Sequence, residues 1–158
     1  MQAERVVGLL LEQNLQLASA ESCTGGLLAA ALTAVAGCSA CFSYGLITYS
    51  NEAKHRLLQV PWPLLDTYGA VSAEVAQAMA RGVAELAAAD IGVAITGIAG
   101  PGGATADKPV GLVYVGLVAP GREMVEKHHF QGNRAAVREQ SVAAALELLA
   151  QTLMKDKR

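Results

Sequence analysis

Apolar and polar positions follow two rhythms along this chain. In "ERVVGLLLEQ" the apolar residues recur at helical spacing, which predicts an amphipathic helix over residues 3 to 13. "LQLASA" is a strand-length apolar run, and the small apolar residues from Thr24 to about Val35 form a second helical stretch. "FSYGLITYS" is β-branched and aromatic enough for a strand, and "NEAKHRLL" is a short helix beginning at Asn51. A long helix runs from Ser72, its expected cap, to Ala89. "IGVAIT" is apolar throughout, the pattern of a central buried strand. "GLVYVGLVA" and "EMVEKHHF" are joined by the turn signal Pro120-Gly121, and Asn133 caps a final helix to about Met154. Helices interleaved with strands, plus one antiparallel hairpin, predict an α/β fold: a three-layer domain with a mixed sheet.

The 158 residues suit one domain, and at 53% hydrophobic and 16% charged the chain can build a core without disulfides or metal. A net charge of −2 with no basic run gives no general attraction to nucleic acid or to an anionic membrane. No signal peptide is visible, because charges run through the N-terminal amphipathic pattern. Ser22 to Asn51 carries no charged residue and is long enough to span a membrane. It is nonetheless rich in Gly, Ala, Ser and Thr, breaks at Gly37 and ends β-like, so it reads as an internal helix and strand. Cys23, Cys38 and Cys41 complete no zinc site and read as buried thiols in a reducing cytoplasm. A redox-active Cys38–Cys41 pair is the alternative.

Three segments follow strands and carry candidate chemistry: "ESCTGG", "TYSNEAK" and "TGIAGPGG". In α/β folds ligands collect at the carboxyl ends of parallel strands. Ser22 sits where a strand becomes a helix, so unpaired backbone N–H groups there favour negative charge. Such a serine caps the helix, binds an anion, or attacks a carbonyl with a base beside it. His55, His128 and His129 have no telling context, and an S-x-x-K pair fails because position 25 is glycine. Lys54, in the first turn after "GLITYS" and five residues beyond Tyr49, is the best-placed lysine. To serve as a base it must fall from about 10.4 toward 7–8, a differential cost of about 4 kcal/mol that requires burial. Tyr49 between serine and lysine would pass the proton. An exposed helix lysine and a packed strand tyrosine are the plainer readings of those two residues. "TGIAGPGG" is neither a P-loop nor a dinucleotide fingerprint, yet its main chain can wrap a phosphate or ribose. Arg134 and Arg138 lie four apart near a helix N-terminus, where they suit either a phosphate or nearby carboxylates.

In this order "AESCTGG", "GLITYSNEAK", "YGAVS", "TGIAGPGG", "KPVG" and "FQGNRAAVRE" closely resemble the CinA C-terminal domain family, over about residues 4 to 150. Its free-standing members are nicotinamide-nucleotide amidases of the PncC type. The resemblance implies a three-layer α/β/α sandwich similar to anticodon-binding domains, one such domain over residues 1–158, and hydrolysis of nicotinamide mononucleotide to nicotinic acid mononucleotide and ammonia. It also implies a catalytic set of Ser22, Tyr49 and Lys54, with no cofactor and no metal. Backbone groups of Cys23, Thr24 and Gly25 are then expected at the oxyanion. Gly26, Thr96, Gly97, Gly100, Gly102, Gly103, Arg134 and Arg138 are expected to hold the substrate. One departure is Asn133, where relatives commonly carry Asp in "GDR"; Asn caps a helix equally well. A homo-oligomer in the cytoplasm is expected, acting on a small nucleotide and bound to neither nucleic acid nor membrane. The alternatives are a non-catalytic nucleotide-binding module and cysteine chemistry at Cys23.

Overall fold

The computed structural model describes residues 1–155. Helix α1 (Gln2–Gln13) leads into β1 (Leu17–Glu21), α2 (Leu27–Thr33), a 3₁₀ turn at Cys38–Ala40 and β2 (Phe42–Ile47). Then come α3 (Asn51–Leu58), α4 (Trp62–Tyr68), α5 (Ala73–Ala87) and β3 (Ile91–Gly97). The hairpin of β4 (Leu112–Ala119) and β5 (Arg122–His129) precedes α6 (Arg134–Lys155). The sheet order is β2-β1-β3-β4-β5; β1 is parallel to β2 and β3, whereas β3–β4 and β4–β5 are antiparallel. This is the expected three-layer α/β fold with a mixed sheet.

Side chains alternate across the sheet as a period of two requires. Leu17, Val93, Ile95, Val113 and Leu117 face α1, α2 and α6, while Ala18, Ala20 and Ala94 face α3, α4 and α5. Ser72 and Asn133 cap their helices as the sequence suggests, accepting the N–H groups of Val75 and Ala136 through their side chains, and Ser50 caps α3 by accepting the Ala53 N–H. A side chain at Gly82 of α5 would strike the Leu58 carbonyl, so this glycine lets the end of α3 lie directly on α5. That contact seats α3, and with it Lys54, over the strand ends.

Two expectations need correction. The second helix begins at Leu27 rather than Thr24 and stops at Thr33, because Gly25 and Gly26 adopt positive φ and prolong the turn. α4 was not foreseen: "WPLLDTY" is too short to show a period, though its Pro63 near the first turn is a helix-start signal. Among the described residues no helix is long and apolar enough to cross a membrane.

Candidate active site

Because β1, β2 and β3 run parallel, their carboxyl ends lie together, and the three suspect segments emerge side by side. Two bonds fix the junction. The Ser22 N–H donates to the Ile95 carbonyl at 2.9 Å, and the Thr48 N–H donates to the Glu21 carbonyl at 2.9 Å. Glu21, 1% exposed, turns its carboxylate onto the start of α2 and accepts the N–H groups of Leu28 at 2.8 Å and Ala29 at 3.1 Å. Two of the orphan donors of that helix are thereby satisfied from within the protein. Glu21 escaped the sequence reading. Its signal was being the one charged residue between Gln13 and Asn51, which demands partners if buried.

Lys54 lies in the first turns of α3, where side chains lean toward the helix N-terminus. Its stem is buried, and its Nζ donates to Ser22 Oγ at 3.0 Å and to the Thr48 carbonyl at 2.7 Å. Burial lowers the Lys54 ammonium to about 8, because removal from water penalises the charged form. At that value a good fraction of the amine is neutral near physiological pH and able to accept the Ser22 proton. Burial has the opposite effect on the neighbouring thiol and pushes Cys23 up to about 11. Cys23 therefore stays protonated at physiological pH, which disfavours thiolate chemistry there.

Tyr49 stands elsewhere than a proton relay requires. It is 61% exposed, and its hydroxyl accepts from Arg134 Nη2 at 3.1 Å; only its backbone carbonyl approaches Lys54, at 3.4 Å. Lys54 already reaches Ser22 directly, leaving no gap for a phenol to bridge.

The pocket at these strand ends has a volume of about 260 Å³. Ser22, Cys23, Lys54 and Thr96 form its buried wall, with Ala70, Val71, Ile98 and Ala99 supplying apolar surface. Gly97, Gly100, Gly102, Gly103, Tyr49 and Arg134 complete the lining, which contains no carboxylate. The Thr96 hydroxyl donates to the Ala70 carbonyl at 2.8 Å, and Lys108 Nζ donates to the Tyr68 carbonyl, so the Gly-rich segment is tied to the loop before α5. Arg134 bridges the rim, donating also to the Gly100 carbonyl at 2.8 Å.

Several expected contacts fall away. The Gly25 N–H is spent on the Ser22 carbonyl at 3.1 Å, and Gly26 starts α2 outside the pocket lining. Of the expected oxyanion donors, the N–H groups of Cys23 and Thr24 are the ones with no partner in another residue among those described, and of these two residues Cys23 lines the pocket. Arg138 does not line the pocket. Its Nε donates to the Cys23 carbonyl at 3.1 Å and its Nη2 to the Thr24 carbonyl at 3.2 Å. His55, His128 and His129 also lie outside the lining, and no group of three His, Cys, Asp or Glu residues among those described is placed to hold a metal.

The family model for the CinA C-terminal domain matches residues 1–153. A CinA-like protein of Citrifermentans bemidjiense is 54% identical over 98% of this chain, and one of Geobacter sulfurreducens is 52% identical over 94%. The chain spans 37% and 36% of the length of these two relatives. The crystal structure of a CinA superfamily protein from Klebsiella pneumoniae superposes with a TM-score of 0.94 at 39% identity, covering 98% of this chain and 96% of that one. The competence/damage inducible protein CihA from Agrobacterium tumefaciens gives 0.93 at 42% identity, covering 96% and 93%.

Proposed function

The chain belongs to the CinA C-terminal domain family, and on that premise we propose that it is a serine amidase that hydrolyses nicotinamide mononucleotide to nicotinic acid mononucleotide and ammonia. The observation that carries this reading is the buried contact of Lys54 Nζ with Ser22 Oγ at 3.0 Å. It supplies a nucleophile and a base of lowered proton affinity in one desolvated place.

In the proposed reaction Ser22 Oγ attacks the carboxamide carbon while neutral Lys54 takes its proton. The N–H groups of Cys23 and Thr24 receive the oxyanion. The Lys54 ammonium then protonates the departing amide nitrogen, which leaves as ammonia. A water molecule enters and Lys54 removes its proton, so that hydroxide attacks the acyl carbon. Collapse expels Ser22, which recovers its proton from Lys54. Ammonia carries off the proton taken from Ser22, water supplies the proton that restores it, and the net change is amide plus water to acid plus ammonia.

The pocket chemistry supports a substrate of this class. Ala70, Val71, Ile98 and Ala99 offer a pyridine ring apolar surface. A cationic pyridinium suits the face of Tyr49 and favours the neutral form of Lys54. Arg134 and the Gly-rich rim, with no lining carboxylate, favour a phosphate. Tyr49 accordingly serves binding, through its ring and its hold on Arg134.

Purified protein at micromolar concentration is expected to release ammonia and nicotinic acid mononucleotide in equal amounts from nicotinamide mononucleotide. Binding of the nucleotide without ammonia release would instead identify a non-catalytic nucleotide-binding module.

A further inference from the structure

We propose that Arg138 is a positioning residue for the turn after Ser22, whose backbone N–H groups it holds in place for the oxyanion. This rests on the serine amidase reading of the same site.

Arg138 lies one turn beyond Arg134 on α6 and reaches the turn across 115 residues of sequence. Its guanidinium takes two successive carbonyls, those of Cys23 and Thr24. In a trans peptide the carbonyl and the following N–H point in opposite directions. Holding the Cys23 carbonyl therefore sets the direction of the Thr24 N–H. Holding the Thr24 carbonyl sets the Gly25 N–H, which donates to the Ser22 carbonyl at 3.1 Å. That bond in turn orients the Ser22–Cys23 peptide and with it the Cys23 N–H. One guanidinium thus governs, directly or through one bond, both N–H groups left for the oxyanion.

The turn needs an outside hold because it is made of residues that resist fixing. Gly25 and Gly26 have φ of +56° and +106°, and glycine has other conformations open to it. Glu21 secures the far side of the turn through Leu28 and Ala29, and Arg138 secures the near side. A planar fork spans two carbonyls in a way an ammonium does not. With two donors committed here and no place in the pocket lining, Arg138 is not the phosphate ligand that its spacing from Arg134 suggested.

The test compares wild type with Arg138→Met and Arg138→Lys in the whole chain. It reads turnover of nicotinamide mononucleotide, inhibition by the product nicotinic acid mononucleotide, and affinity for pyridine-3-boronic acid, which forms a tetrahedral adduct on a serine. For Arg138→Met, kcat is expected to fall roughly 30- to 100-fold, short of the roughly 100- to 1,000-fold for deleting an oxyanion donor. Boronate affinity should fall in step with kcat. KM and product inhibition should stay within about threefold, and the pH midpoint of kcat/KM should not move, since Lys54 is untouched. Arg138→Lys should recover part of the loss. A raised KM and weakened product binding with kcat and boronate affinity intact would overturn the proposal in favour of phosphate binding. A displaced pH midpoint would overturn it in favour of general loosening, and no effect at all would remove the role. If Arg138→Met fails to fold in a thermal melt, Arg138→Lys carries the same readouts. Wild type that binds boronate but releases no ammonia sinks the amidase reading alone, and Arg138 is then judged on boronate affinity. Wild type that releases ammonia without binding boronate keeps the amidase reading, and Arg138 is then judged on kcat against KM; wild type that does neither overturns both.

Discussion

Lys54 and Tyr49 are five residues apart, yet they occupy opposite regimes. Lys54 is 1% exposed and held by Ser22 and by the Thr48 carbonyl; Tyr49 is 61% exposed and touches Arg134 at the rim. The inner wall fixes every group it contains: Ser22 through Ile95, the turn through Glu21 and Arg138, and Lys54 through its buried stem. The rim is glycine, an exposed arginine and an exposed phenol. In the proposed reaction, a burial cost is accepted where a base is to be made weakly basic, and solvation is kept where a charged substrate is to enter. The wall should therefore govern kcat and the rim KM.

Substitutions at the wall break this division most severely. Ser22→Ala is expected to lower ammonia release at least about 1,000-fold without loss of fold, whereas Cys23→Ala stays within about tenfold, since the thiol is protonated. Release that survives in Ser22→Ala and disappears in Cys23→Ala would reverse the assignment. Lys54→Met should cost about 100- to 10,000-fold in kcat, the usual range for a general base.

That variant also carries a stability signature with a definite sign. Folded Lys54 titrates at about 8 against 10.5 for the ordinary side chain, so above pH 8 the unfolded chain binds more protons. Between pH 7 and 9 wild type should gain about 1 kcal/mol relative to Lys54→Met, measured by denaturant unfolding of both. Parallel curves would mean that Lys54 is not desolvated in the folded protein.

Rim substitutions sharpen the comparison from the other side. Arg134→Met is expected to raise KM about 10-fold or more with kcat within about threefold, the loss of one charge-assisted contact to a phosphate. Tyr49→Phe should change kcat by less than about threefold, because its hydroxyl meets Arg134 rather than Ser22 or Lys54. A fall in kcat of about 100-fold there would restore the proton relay that family resemblance implied.

Much of the fold was legible because α1 and α5 carry strong helical periods, the strands are apolar or β-branched runs bounded by turn signals, and Ser72 and Asn133 announce their caps. α4 was lost for want of length. The start of α2 was misplaced because Gly25 and Gly26 prolong the turn at positive φ, and the Glu21 carboxylate that caps the helix meets it only once β1 and α2 are packed together. Position made Lys54 the best-placed lysine but left an exposed helix residue its plainer reading; resemblance implied the pairing with Ser22, and the parallel strand ends show the contact. Arg134 and Arg138 share a helix face, so sequence treated them alike. One helical turn, about 5.4 Å, separates the pocket rim from the underside of the Ser22 turn.

The central claim is that Ser22 is activated by a buried, neutral Lys54, and the pH dependence of kcat/KM for nicotinamide mononucleotide tests it most directly. The rate should rise with pH, reach half its plateau near pH 8, and stay flat above, because the base works only when deprotonated. A rate that is level from pH 6 to 10 in wild type, or one that falls as Lys54 loses its proton, would contradict it.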